Sequence, residues 1–239
     1  VSMPEPEPEM AEQLQDLYRG EIEYLDANFG KLIAKLEADG VYDDTVIVLT
    51  ADHGEEFHEH GGFWHGLTLY DEQINVPLVI KWADGVDGPA EGADSGIARL
   101  IDVGPTLLGT AGVAVPDTMQ GVDLRTPFAS RPEKDQQVFA EEDHEGNVLW
   151  ALRTEDEKLI VANANNPRGL PEREYFDVSS DPLEQDGYED PEAEAHLEEL
   201  AEYQRQAALG EAVQGEDVEM DLATCQRLMA IGYVKDCSH

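Results

Sequence analysis

Residues 45–66 read TVIVLTADHGEEFHEHGGFWHG, and this stretch decides the fold that the sequence predicts. Its first six residues are β-branched or apolar and lie between two acidic residues and Ala51–Asp52, as expected for a strand buried on both faces. The residues that follow are polar and rich in glycine, which is typical of a loop. The stretch therefore predicts a buried strand that leads directly into a polar loop.

The segments on either side of this strand predict an α/β sheet. Upstream, apolar residues in 10–39 recur every three or four positions, which predicts one long amphipathic helix that packs on the rest of the fold and ends at Gly40. Downstream, Val76 to Lys81 predicts a second buried strand, and Asp102 to Gly112 predicts a helix capped by Asp102. A helix followed by a buried strand favours a parallel sheet.

From about Gln136 the pattern changes to short β-rich segments separated by polar or glycine turns. A polar amphipathic helix and a last short helix follow them. The predicted strands are Val138 to Glu141, Val148 to Thr154 and Lys158 to Ala162, with Tyr175–Phe176 as a candidate fourth, and the predicted helices are Pro191 to Leu209 and Asp221 to Ile231. The predicted fold class is α/β, a sheet with flanking helices followed by a small antiparallel sheet with a helix.

Composition divides the chain into three segments. Residues 1–9 alternate proline with glutamate and are expected to form an extended linker. Residues 10–133 carry the predicted α/β domain, and residues 134–239 carry the antiparallel subdomain and a C-terminal tail.

The charge of the chain excludes some classes of partner. The 239 residues contain 15 Lys and Arg against 53 Asp and Glu, a formal net charge of −38, which repels a phosphate backbone and excludes nucleic acid. A uniformly acidic surface is typical of a halophilic cytoplasmic protein, since salt screens the self-repulsion. The apolar runs are too short for a membrane span, so we expect a cytoplasmic location, although a signal could be lost with an absent N-terminal half.

Only two cysteines are present, Cys225 and Cys237. Neither forms a C-x-x-C pair with metal or redox spacing, and two thiols make no disulfide framework. We therefore expect a reduced or disulfide-poor setting.

The loop after the first strand holds four of the seven histidines. Asp52 and His53 lie side by side at the predicted carboxyl end of the strand, where open α/β sheets bind ligands. A carboxylate and an imidazole on one turn can both reach one divalent ion. Taken alone, the residues allow a second interpretation, in which Asp52 caps a turn and the histidines are solvated. The HExxH signature is absent, which excludes a zincin metalloprotease.

Five ordered motifs carry a resemblance to a known family. Together they cover most of the chain from Tyr18 to Val234. They are TVIVLTADHGEEFHEHGGFWHGLTLYDEQINVPLVIKW, YRGEIEYLDANFGKLIAKLEADGVYDDT, IDVGPTLLGTAGVAVPDTMQGVDL, REYFDVSSDPLEQ and LMAIGYV. This pattern closely resembles the sulfatase family of the alkaline phosphatase superfamily, so an alkaline-phosphatase-like sheet is expected.

The resemblance implies roles for four residues. Asp52 and His53 correspond to metal ligands, with calcium as the expected ion and manganese or zinc as alternatives. His65 stands at or beside the position where relatives place a lysine or histidine against the sulfate or phosphate oxygens, and His60 is a weaker candidate for the same role.

The resemblance also shows what this sequence lacks. The family carries two further acidic metal ligands on an N-terminal strand, and a Cys-x-Pro-x-Arg or Ser-x-Pro-x-Arg segment that supplies the nucleophile. Neither cysteine, and no serine, opens that pattern here. We therefore expect the C-terminal part of a sulfatase-like hydrolase, inactive alone, that associates with itself or with the missing N-terminal half.

Three functions remain open from the sequence. The first is metal-dependent hydrolysis of a small sulfate ester. The second is hydrolysis of a phosphodiester or phosphonate ester, because Asp-His in place of Asp-Asn recurs among phosphorus-handling relatives. The third is a non-catalytic acidic α/β remnant or binding protein, which the absent nucleophile supports.

Overall fold

The computed structural model describes residues 6–89, 96–144, 146–210 and 224–227. Helices and antiparallel strands alternate in its first half, and a four-stranded sheet with one helix forms the second. The helices are α1 (Ala11–Ala38), α2 (Asp71–Ile74), α3 (Leu100–Thr110) and α4 (Pro191–Gly210), and the strands are β1 (Ile47–Thr50), β2 (Glu56–Phe57), β3 (Phe63–Trp64), β4 (Leu78–Lys81), β5 (Val138–His144), β6 (Asn147–Arg153), β7 (Glu157–Ala162) and β8 (Arg173–Asp177).

The first helix forms where the apolar periodicity predicts it. Pro8–Met10 form a 3₁₀ turn that leads into α1, so the end of the predicted linker is helical, while residues 1–5 lie outside the described residues. Gly40, with φ at 69°, follows the helix in the left-handed region that a side chain would disfavour. As predicted, α1 packs on the fold: Tyr18 lies edge-on against Phe57 of β2 with ring centroids 5.2 Å apart, although none of the 28 residues of α1 is buried.

The first strand pair is antiparallel, which corrects the prediction of a parallel sheet. β1 pairs with β4 in the register Ile47 with Lys81 to Thr50 with Leu78. A parallel pair needs a crossover connection of a dozen or more residues, usually a helix. The segment between these strands instead forms the β2–β3 hairpin and the single turn of α2, and it returns the chain in the opposite direction.

Both strands of this pair are more exposed than the sequence predicts. Leu49 on β1 is 36% exposed and Val79 on β4 is 57% exposed. In the described part of the chain β1 and β4 pair only with each other. The expectation that the first strand is buried on both faces is therefore wrong for the described residues.

Helix α3 begins two residues before the predicted start. Arg99 is its N-cap, and Asp102 is the third helical residue rather than the cap. The buried Asp102 carboxylate accepts the backbone N–H of Arg99 at 2.9 Å and that of Val122 at 2.9 Å, and it binds the Arg99 guanidinium. The predicted capping residue thus ties the helix start to the loop around Val122.

The C-terminal sheet confirms the predicted antiparallel meander, in the order β5-β6-β7-β8. One face packs against α4, where Leu152, Leu159 and Leu197 are fully buried. The other face buries Leu149, Ile160 and Phe176 against Leu69 and Tyr70, which precede α2. The segment after β1 therefore packs directly on the C-terminal sheet. The sequence predicts that these two parts belong to different domains, with a boundary at residue 133.

Only part of the predicted C-terminal helix lies within the described residues. Residues 224–227 are helical, while the remainder of the predicted last helix lies outside the described residues. Cys225 is disulfide-bonded, which contradicts a reduced setting but not a disulfide-poor one. Within the described ranges, no helix combines the length and the apolar character that a membrane span requires.

Candidate active site

Asp52 and His53 directly follow β1 and point towards one cavity. His53 Nε2 lies 3.8 Å from Asp52 Oδ1, and the side chains are 43% and 80% exposed, respectively. Both line a cavity of about 1090 Å³ that opens between β4, the start of α3 and the edge of β5. The chain bends at Asp52 and both residues line one cavity, as the sequence predicts, while their role as metal ligands stays a prediction.

The backbone after His53 is fixed by the segment around α2. Gly54 N donates to Gln73 O at 2.8 Å, and Glu55 N donates to Glu72 O at 2.9 Å. The approach is so close that a Cβ on Gly54 would lie 2.0 Å from the Glu72 carbonyl oxygen. Only glycine fits, since every other residue would need the α2 backbone to move.

His65 joins this group through Glu55 and His53. Its Nδ1 lies 3.2 Å from each carboxylate oxygen of Glu55. Its ring stacks on His53 with centroids 3.9 Å apart. The structure therefore brings together three of the four predicted site residues, Asp52, His53 and His65, and adds Glu55.

The hairpin that carries His65 is built around buried polar groups. Glu56 is fully buried and accepts from Gly62 N at 2.6 Å and from Gln73 Nε2 at 3.1 Å. Trp64, next to His65, has φ at 76°, a left-handed conformation that is strained for a bulky residue. The position of His65 thus depends on the buried hydrogen bonds of Glu56 in the β2–β3 hairpin, which the sequence alone did not predict.

His60 lies apart from this group, on the side facing the C-terminal sheet. Its Nδ1 is 2.7 Å from Glu72 Oε1, its Nε2 is 2.8 Å from Glu184 O, and its ring stacks on Tyr70 at 3.6 Å between centroids. Both ring nitrogens are thus engaged inside the protein. The role of His60 against substrate oxygens stays a prediction, and His65 is the better-placed residue for it.

A buried charge cluster, which sequence reasoning missed, anchors the same loop. Lys158 on β7 is fully buried, with its Nζ 2.7 Å from Asp71 Oδ1 and 2.6 Å from Glu184 Oε1. Burial raises the pKa of Asp71, but Lys158 and Arg153 outweigh it and hold that pKa below its ordinary value. Burial raises the pKa of Glu184 above its ordinary value despite Lys158. Only the apolar run around Lys158 in the sequence hinted at a buried lysine.

The donor set of Asp52 and His53 fits part of a divalent-cation site. A carboxylate oxygen and an imidazole nitrogen are common metal ligands, and 3.8 Å between them allows both to reach one ion. In the described ranges, no group of three or more His, Cys, Asp or Glu side chains could hold a metal. The residues present therefore supply two ligands, and the others would have to come from elsewhere.

Comparison with known proteins places the chain among sulfatases. The family model described as Sulfatase matches residues 4–113. Arylsulfatase K of Bos taurus is 34% identical over 173 residues, which cover 66% of this chain and 30% of that protein. The multifunctional alkaline phosphatase superfamily protein PehA of Trinickia caryophylli is 37% identical over 117 residues, which cover 48% of this chain and 22% of that protein.

A solved structure extends the likeness to the fold. The structure of BT4656 in complex with its substrate D-glucosamine-2-N,6-O-disulfate matches with a TM-score of 0.67 at 28% identity, covering 79% of this chain and 40% of that chain. The chain thus spans less than half of the proteins it matches. The likeness reaches beyond the family-model match into the C-terminal sheet.

Proposed function

We propose, from the premise that the chain belongs to the sulfatase family of the alkaline phosphatase superfamily, that it contributes to the active site of a metal-dependent sulfate ester hydrolase. One observation carries the proposal. Asp52 and His53 line one cavity at the carboxyl end of β1, and His65 stacks on His53 with ring centroids 3.9 Å apart. These groups are two candidate metal ligands and one candidate proton donor.

Asp52 and His53 would hold the divalent cation that sulfatases generally use. When bound, such an ion offsets negative charge on the non-bridging oxygens of the ester. The backbone hydrogen bonds of Gly54 and Glu55 fix the chain directly after the two ligands. We propose calcium as the ion, with manganese and zinc as alternatives, since carboxylates suit calcium and imidazoles suit zinc.

His65 would bind the ester oxygens or protonate the leaving group. Its Nδ1–H is directed to the Glu55 carboxylate, at 3.2 Å from both oxygens, which leaves Nε2 for the substrate. A protonated Nε2 can donate a hydrogen bond to an oxyanion or a proton to a leaving oxygen.

The nucleophile would come from a part of the protein outside this sequence. No Cys-x-Pro-x-Arg or Ser-x-Pro-x-Arg segment occurs in the 239 residues. We therefore propose that the chain forms the C-terminal part of the hydrolase, and that alone it turns over aryl sulfates negligibly. An in-frame upstream segment encoding that motif would support an enzyme, and its absence would favour a non-catalytic acidic protein.

Calorimetric titration with calcium or manganese tests the metal ligands. We expect weak binding that the Asp52→Ala and His53→Ala variants lose, because two ligands hold an ion less firmly than the three or more of a catalytic site. Asp44→Ala, which removes an exposed carboxylate before β1, is the matched control and should leave binding unchanged. Equal loss in the control would show that bulk negative charge binds the metal.

An aryl sulfate assay tests the reaction itself. The protein that includes the upstream segment should hydrolyse the ester with saturating divalent metal at high salt, and Asp52→Ala or His65→Ala should abolish this. His196→Ala, on the exposed face of α4, is the control for histidine removal. Turnover by the present chain alone, lost in the two site variants, would show that it contains an unrecognised nucleophile and would contradict this proposal.

A phosphodiester or phosphonate ester is the second candidate substrate. The likeness to PehA, described as a multifunctional alkaline phosphatase superfamily protein, favours it. The same protein should be assayed with matched aryl sulfate and aryl phosphonate esters. A higher kcat/KM for the phosphonate would replace the first proposal with the second.

A further inference from the structure

We propose that His60 is a doubly protonated imidazolium that clamps the loop of Glu55 and His65 to the C-terminal segment around Glu184, and so acts as a positioning residue. That this loop belongs to an active site rests on the proposed function. The contacts of His60 described below do not depend on that function. His60 does not touch Asp52, His53 or His65 in any contact described above.

The two partners of His60 are both hydrogen-bond acceptors. Nδ1 lies 2.7 Å from the Glu72 carboxylate, and Nε2 lies 2.8 Å from the Glu184 carbonyl oxygen. A neutral imidazole donates from one nitrogen only and would face the other acceptor with a lone pair. The imidazolium donates from both nitrogens, so it is the protonation state that satisfies both contacts.

Gln185 offers the one competing arrangement. Its side-chain Nε2 lies 3.3 Å from His60 Nε2 and could donate to a neutral ring. This contact is longer than the 2.8 Å from His60 Nε2 to the Glu184 carbonyl oxygen. The geometry therefore favours donation by His60.

The groups around His60 come from several elements, and most of them favour the cation. Glu72 on α2 and Glu184 in the C-terminal loop are acidic, and the Tyr70 ring stacks on the imidazole. Glu174 on β8 binds the Tyr70 hydroxyl at 2.7 Å, while Lys158 on β7 opposes the cation but is itself paired with Glu184. Burial lowers the pKa of His60, but Glu72 and the Glu184 carbonyl outweigh it and raise that pKa above 6.5.

The clamp reaches the candidate site through the α2 backbone. The Glu72 side chain binds His60, while its carbonyl oxygen accepts Glu55 N at 2.9 Å. Glu55 in turn binds His65 through its carboxylate. His60 lies 124 residues from Glu184, so this one side chain connects the loop after β1 to the C-terminal segment.

The direction of the pH effect follows from the raised pKa. The pKa of His60 is higher in the folded protein than its ordinary value of 6.5, so protonation of His60 stabilises the fold. This contribution is complete at a pH below 6.5, and it is lost as the pH rises through the pKa of the folded state. The clamp is therefore closed in mild acid and released above the folded pKa. Releasing it costs one hydrogen bond, to Glu72 or to the Glu184 carbonyl.

Imidazole NMR on the full chain tests the protonation state. At pH 6.5 the ¹⁵N shifts of His60 should report two protonated nitrogens, with a titration midpoint above the ordinary histidine value of 6.5. In the Glu72→Gln variant, which keeps the side-chain shape without its charge, the midpoint should fall. A His60 that carries a single proton at pH 6.5 would overturn the proposal.

Amide hydrogen exchange tests the positioning role. His60→Gln should speed exchange at Gly54 and Glu55 about tenfold, as expected for a lost hydrogen bond, while His196→Gln should not. Protection of these amides in the unsubstituted chain should fall as the pH rises through the His60 midpoint and be flat in His60→Gln. Unchanged, pH-independent protection would contradict the clamp. Neither readout uses metal or turnover, so failure of the proposed function remains distinguishable.

Discussion

The C-terminal sheet and helix α1 bury their leucines to very different extents. Leu152 and Leu159 of the sheet are fully buried, whereas Leu17 and Leu25 of α1 are 69% and 59% exposed. Both sets follow a regular apolar period, so the pattern alone does not separate them. The difference shows that the C-terminal sheet and α4 complete a core within the described residues, whereas the apolar face of α1 stays largely exposed there.

The relatives suggest what covers that face. The chain spans 30% of the length of Arylsulfatase K, so most of such a protein lies beyond the matched part. We propose that α1 and the exposed β1–β4 pair bind the remainder of a sulfatase fold or, without it, a second copy of this chain.

Removal of salt should have the largest effect. A net charge of −38 repels itself, and molar salt reduces the screening length to about 3 Å. We expect the chain to fold in molar sodium chloride and to unfold at low salt, with α1 losing its helicity before the C-terminal sheet melts. Circular dichroism melts across a salt series, with exchange rates for each region, would measure this. A melting temperature independent of salt would leave the halophilic interpretation without support.

Replacing Lys158 should be the most damaging single change in the C-terminal region. Lys158→Met leaves the buried Glu184 carboxylate without its cation and leaves Asp71 with only the more distant Arg153, and breaking a buried ion pair typically costs about 3–5 kcal/mol. Urea unfolding should show this loss. Lys134→Met, at an exposed position, is the control and should change stability by less than about 0.5 kcal/mol. Similar small effects in both variants would mean that the buried cluster contributes little.

Truncating matched leucines compares the two regions directly. Leu159→Ala should lower the free energy of unfolding by about 2–5 kcal/mol, because it leaves a cavity in a closed core. Leu25→Ala, on the exposed face of α1, should change it by less than about 0.5 kcal/mol in the isolated chain. A large loss at Leu25 would show that the α1 face is covered in solution.

Self-association should give the smallest but most selective signal. Sedimentation of the chain at rising concentration should reveal dimers or larger species that the Leu17→Glu, Leu25→Glu double variant loses, since it places charge on the apolar face of α1. Leu183→Glu, at an apolar position that is 72% exposed outside α1, should associate like the unsubstituted chain. A chain that stays monomeric throughout would leave the remainder of the fold as the partner to test.

Local pattern predicted most elements of the fold. The spacing of apolar residues predicted α1 within one residue at each end, and it predicted the strands of the C-terminal sheet. It did not predict the antiparallel pairing of β1 with β4, because pairing depends on the path of the intervening chain. The burial of β1 was predicted from its apolar composition. A strand is buried only where neighbouring elements cover it, and composition does not show whether they are present.

The candidate site divides in the same way. The adjacency of Asp52 and His53 and the acidic composition were determined by the sequence itself, since neighbouring residues share a turn and charge needs no fold. Only the tertiary structure stacked His65 on His53, set His60 between Glu72 and Glu184, and buried Lys158 among carboxylates. These contacts join residues as far as 124 positions apart, and a hydrogen bond depends on ångström-scale placement that no local pattern of residues encodes.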